Sequence, residues 1–106
     1  MKARVQFVAH QRIVRFTVSL PDPKKFRDDQ RREQEDRRIW RSLLLVIKAK
    51  LESVNTGIAT FEQEFLNNIV MPNGRTVGEI VLPQIAESYA SGKMPLALGP
   101  AKEEAE

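Results

Sequence analysis

The chain has 106 residues, 42% of them hydrophobic and 29% charged, which is ordinary for one globular domain and excludes wholesale disorder. It contains no cysteine, so a disulfide, a thiol nucleophile and thiolate metal ligation are excluded. The net charge of +3 is unevenly spread: residues 1–41 carry twelve Lys/Arg against six Asp/Glu, and the remainder is net acidic.

The N-terminus lacks the apolar run of a signal peptide, and the longest apolar run, Leu43–Ile47, is far too short to span a membrane. The expectation is a cytoplasmic protein without a membrane segment. Arg4 to Leu20 alternates twice, with Val5, Phe7 and Ala9 on one face and then Val14, Phe16, Val18 and Leu20. Folding back around His10–Gln11 sets Phe7 opposite Val14 and Val5 opposite Phe16, the register that puts both apolar sets on one side. Ala9–Arg12 offers no Gly, Asn or Asp for a two-residue primed turn, so a four-residue loop is expected. One long bent strand pairing with a second subunit is the alternative. Arg4, Gln6, Arg15, Thr17 and Ser19 fall on the opposite, wet face.

Pro21-Asp22-Pro23 ends the strand, with Asp22 suited to cap a helix and Pro23 to begin it. Residues 24–38 hold one apolar side chain, Phe26, and read either as a projecting charged helix or as a mobile loop. Asp28–Arg32 and Glu33–Arg37, four apart in the favourable order, support the helix. From Ile39 to Val54 the apolar residues Trp40, Leu44, Ile47, Leu51 and Val54 recur at 4, 3, 4 and 3, one helical face that Leu43 and Val46 widen. The hairpin is expected to lie on that stripe.

Asn55-Thr56-Gly57 closes the helix, and Thr60 with Gln63 opens a short second one whose Phe61, Phe65, Leu66 and Ile69 face back. Met71–Gly74 is a turn, flanked by a short strand pair over 69–71 and 75–77. Thr76 with Glu79 caps a third helix reaching about Ala90, with Val77, Ile80, Val81, Ile85 and Tyr89 as its expected buried positions. Pro83 should kink or restart it by clashing with the Glu79 carbonyl. Ser91-Gly92 stops it. Met94, Leu96 and Leu98 pin the start of the C-terminal segment, and 99–106 is expected to be a disordered tail.

The sum is an α+β fold: an N-terminal antiparallel β-hairpin packed on one long helix, with two shorter C-terminal helices, forming a single domain over 1–98. Few residues suggest chemistry. His10, the lone histidine, falls at a hairpin tip and reads as a solvated turn residue. Glu52, Glu62, Glu64 and Glu79 read as caps and solvated faces rather than paired catalytic carboxylates. Asn73-Gly74-Arg75-Thr76 before Gly78 opens a helix N-terminus, where anions bind and Arg75 could help, but no phosphate-loop or dinucleotide fingerprint is present and the stretch reads as a structural turn.

No metal, cofactor or small-molecule substrate is expected, and no enzymatic activity. A candidate contact surface comprises Arg4, Arg12, Arg15, Arg31, Arg32, Arg37, Arg38, Trp40 and Arg41, at the basic front half and the join between charged and apolar helix. The leading function is a non-enzymatic interaction protein that engages a protein partner or a second copy of itself. The alternative is an accessory protein on nucleic acid, weakened by the acids interleaved from Asp22 to Asp36.

The runs LLLVIKAKLESVNTGIATFEQEFL and MPNGRTVGEIVLPQIAESYASGKMP resemble a group of small bacterial proteins with no assigned activity, over about two-thirds of the chain. The resemblance implies a bacterial or mobile-element origin and carries over no catalytic residue.

Overall fold

A computed structural model describes residues 1–22, 24 and 28–95. The expectations placed on Pro23, Phe26, Leu96, Leu98 and residues 99–106 lie outside the described residues.

Strand β1, Lys2–Ala9, pairs antiparallel with β2, Arg12–Ser19. The register is the one the alternation selects, Val5 opposite Phe16 and Phe7 opposite Val14. The connection differs from the expected four-residue loop. Ala9 pairs directly with Arg12, and His10 and Gln11 make a two-residue turn at φ 50° and 63°. Left-handed backbone matches the right-handed twist of the strands, which is why such turns favour Gly and Asn. Here the tip is held from outside: the His10 ring stacks on Phe61, centroids 4.4 Å apart.

Helix α1 spans Asp29–Asn55, so the charged segment is helical from Asp29 onward. Its N-cap is Asp28, whose carboxylate accepts from the Gln30 amide, not Asp22. Asp22 instead accepts from the Lys24 amide in a local turn. Helix α2, Phe61–Phe65, has the expected Thr60–Gln63 capping box and runs into a 3-10 turn, Leu66–Asn68. Ile69 bridges to Val14 and Val70 to Thr76, which covers the outer edge of β2 and leads into α3, Val77–Ser91. Gly92, at φ 76°, ends α3 in the left-handed conformation.

The buried core is Val14, Phe16, Phe61, Phe65 and Ile69, with the fully buried Phe65 at its centre. Phe61 stacks on Phe65 at 4.5 Å, and Phe7 and Phe16 meet the Phe65 ring edge-on at 6.4 and 6.2 Å. Each edge-on pair sets positive ring hydrogens against a negative face and adds ~1 kcal/mol beyond burial. Lys50 ties α1 to this cluster, its ammonium 2.9 Å from the Glu64 carbonyl and 5.8 Å above the Phe65 ring.

Three further expectations are corrected. The α1 stripe turns inward only through Leu43, Ile47 and Val54, while Trp40, Leu44 and Leu51 remain 38%, 51% and 37% exposed. Val46 also faces outward. The inward line is 43, 47, 54, rotated toward α2 because the hairpin docks on the phenylalanine cluster. Leu66, Ile85 and Tyr89 are exposed rather than buried, since α3 packs chiefly on the short 3-10 turn Leu66–Asn68. Pro83 neither stops nor restarts α3, which runs unbroken through it.

Candidate functional site: a basic groove across the hairpin

The hairpin face expected to be wet is exposed at Arg4, Gln6, Thr17 and Ser19, and only Arg15 is partly covered. Thr76 caps α3 by accepting from the Glu79 amide, and the Glu79 carboxylate accepts from the Thr76 amide in return. This fixes the first turn of α3 beside β2. Gly78 is buried there against Asn67. A Cβ at Gly78 would stand 2.0 Å from Asn67 Oδ1 and 2.9 Å from its backbone oxygen, so only glycine permits the approach.

Between the outer hairpin face and this helix start lies a groove of about 630 Å³, lined by Lys2, Arg4, Arg15, Thr17, Asn67, Asn68, Arg75, Thr76, Gly78, Glu79, Leu82 and Pro83. Strand alternation explains its floor: Lys2, Arg4 and Gln6 share a face with their partners Ser19, Thr17 and Arg15. Arg15 is the fixed member, its side chain 13% exposed. Its Nε donates to Gln6 Oε1 at 3.0 Å and its Nη1 to the Gly74 carbonyl at 2.9 Å. The Asn68 amide donates to the Arg15 carbonyl at 3.0 Å.

Arg75 forms the opposite wall and donates to the Glu79 carbonyl at 3.0 Å. Lys2 reaches Ser19 Oγ at 3.0 Å. Glu79 is the one carboxylate among the lining residues, 3.7 Å from Arg15. Hydrogen bonds from the Thr76 backbone and side chain, then Arg15 and Arg75, hold its carboxyl below the usual range, so it stays ionised.

The sequence-derived contact set divides. Arg4 and Arg15 enter the groove, joined by Lys2 and Arg75, which come from the N-terminus and from the turn before α3. Arg12 pairs with Glu62 at 3.3 Å, tying the hairpin to α2. On α1 the charges pair along the helix: Arg32 with Asp29 at 3.7 Å, Arg37 with Glu33 at 3.6 Å, and Arg38 with Glu35 at 2.6 Å. The Arg38 hydrogen bond holds the Glu35 carboxyl low, and Glu35 in turn raises Arg38. Arg31 and Arg41 are exposed on the same helix, and Trp40 lies on its half-open apolar edge.

Sequence spacing grouped cations by proximity along the chain. The groove groups them across 59 residues, between Arg15 and Gly74. The signals for Arg75 were its place before a capping box and the glycine at 78.

Among the described residues there is no cluster of three or more His, Asp or Glu able to hold a metal ion, and no helix long and apolar enough to cross a membrane. No family model, curated protein or solved structure matches the chain.

Proposed function

We propose that this protein is a non-enzymatic interaction protein that pairs with a second copy of itself along the exposed apolar edge of α1. The observation that carries the reading is the line Trp40, Leu44 and Leu51, flanked by Leu45, left open beside the inward-facing Leu43, Ile47 and Val54. Trp40, Leu44 and Leu51 are spaced 4 and then 7, which keeps them on one line of a helix–helix seam.

Charge favours a like partner in antiparallel orientation. Arg41 and Glu52 stand on the same flank of the exposed line, and neither makes an ion pair among the described residues. A two-fold axis at the level of Ile47 sets Arg41 of each copy against Glu52 of the other. The N-terminal turns of α1, most of whose charges are already paired within the helix, then extend over the partner as a solvated rim.

The size of the patch sets the strength. The exposed parts of these four side chains offer about 300 Å² per copy, no more than the largest apolar patch of an ordinary monomer. Burying both sets gains about 15 kcal/mol gross at ~25 cal/mol per Å², of the same order as the cost of association. A concentration-dependent dimer is the consequence, not an obligate one.

Sedimentation velocity over a concentration series tests this. The expected result is a monomer–dimer equilibrium that Leu44→Glu shifts to monomer without loss of helicity. A clean monomer at high concentration overturns the reading.

A further inference from the structure

The groove concentrates unlike elements on one volume. Its floor supplies the side chains of Lys2 and Arg4, its wall Arg75, and the helix start supplies Gly78, whose amide in the first turn has no intrahelical acceptor. Arg4 is exposed, lines the groove and makes no hydrogen bond or ion pair among the described residues. All five of its guanidinium donors are therefore open to a ligand. Four cations face a single carboxylate, so the groove holds net positive charge. Arg15 is already anchored by Gln6 and Gly74, so its charge is fixed in place without any ligand.

Arginine forks and side-chain amides suit an acceptor with several oxygens in a plane or tetrahedron, and a helix start favours negative charge. We propose that the groove is a binding site for phosphate groups. It is a separate surface from the exposed edge of α1, and it stands whether or not the chain dimerises. The cations of α1, by contrast, are largely neutralised by their own helix, so the basic front half acts through its hairpin and not through its arm.

Glu79 sharpens the assignment. Its carboxylate caps α3, yet it is the charge that opposes an anion in the groove. Glutamine at the same position keeps the capping bond to the Thr76 amide and removes the negative charge. A phosphate site should therefore bind more tightly in Glu79→Gln, an effect that a merely structural groove would not produce.

The test uses two probes at low salt on the full chain, inorganic pyrophosphate and a short fluorescein-labelled oligothymidylate, read by calorimetry and by fluorescence anisotropy. Wild type is expected to bind at least one of them. Lys2→Ala/Arg4→Ala, at exposed strand positions, should weaken binding at least tenfold while the thermal midpoint stays near wild type. Glu79→Gln should strengthen it severalfold, and Arg31→Ala/Arg37→Ala should leave it unchanged. If the oligonucleotide binds far more tightly than pyrophosphate, the phosphates are those of a strand, and the double variant flattens its log–log salt slope by about 1.4. Comparable affinities, or binding of pyrophosphate alone, assign the site to a small phosphate ester. Absence of binding by both probes at low salt overturns the proposal. So does binding that survives Lys2→Ala/Arg4→Ala and disappears in Arg31→Ala/Arg37→Ala.

Discussion

Arg75 Nη2 donates to the carbonyl oxygen of Glu79 at 3.0 Å, the acceptor that Pro83 deprives of its intrahelical N–H. A proline at the seventh position of a helix removes one i→i−4 hydrogen bond and crowds that same carbonyl, which normally kinks or ends the helix. Here a guanidinium from the preceding turn takes the place of the missing donor, and α3 continues to Ser91. The two residues should therefore be coupled. Arg75→Ala is expected to lower stability by about 1 kcal/mol in urea denaturation, the usual net value of one exposed hydrogen bond. In a Pro83→Ala background, which restores the N–H, the same change should cost close to nothing. Equal costs in both backgrounds would show that Arg75 does not compensate for the proline.

The hairpin turn carries left-handed backbone at two residues that dislike it. His10 and Gln11 have φ of 50° and 63°, and each such non-glycine residue costs about 1 kcal/mol. Gln11→Gly relieves one of these at a position with no described side-chain contact, so a gain of about 1 kcal/mol is expected by thermal melting. His10→Gly should gain less than Gln11→Gly, because it also removes the stacking on Phe61.

Local periodicity carried much of the fold. The strand register, the two capping boxes, the helix ends at Gly57 and Gly92 and the Val70–Thr76 bridge are all dictated by residues close in sequence. The features that escaped were set by long-range packing. The α1 stripe read as one face because its spacing fits two lines equally well, and only docking on Phe61 and Phe65 decided that Leu43 and Ile47 go in while Leu44 stays out. The two-residue turn was missed because its support comes from Phe61, fifty-one positions away. The groove was legible only in pieces, the polar hairpin face and the Asn73–Gly78 helix start. No spacing rule says that the second lies across the first.

That juxtaposition depends on one glycine. Gly78→Ala would raise helix propensity by about 1 kcal/mol if nothing else changed. Its methyl, however, would meet both the side chain and the backbone of Asn67. Overpacking of this kind costs ~1–3 kcal/mol, so net destabilisation is expected in chemical denaturation. Adding Asn67→Ala should recover only part of it, because the backbone oxygen at 2.9 Å remains. Full recovery would locate the whole clash in the side chain.

The acid limb of stability should report on the start of α3. Glu79 is held below its ordinary value of 4.5 by hydrogen bonds from Thr76 and then by Arg15 and Arg75. A carboxyl that is more acidic folded than unfolded adds stability at pH values above its unfolded value. That contribution is lost as pH falls through the folded value. Glu35, lowered first by its hydrogen bond to Arg38, acts in the same direction at the exposed end of α1. Between about pH 5 and pH 3 the wild-type chain should therefore lose stability more steeply than Glu79→Gln, whose cap does not titrate. Thermal melts of both proteins across that range supply the comparison. Protection against hydrogen exchange at the amides of Val77 to Ile80, taken relative to the intrinsic rate at each pH, should fall with acid in wild type and stay flatter in the variant. Parallel pH profiles in the two proteins would mean that the capping carboxylate is not the group that titrates.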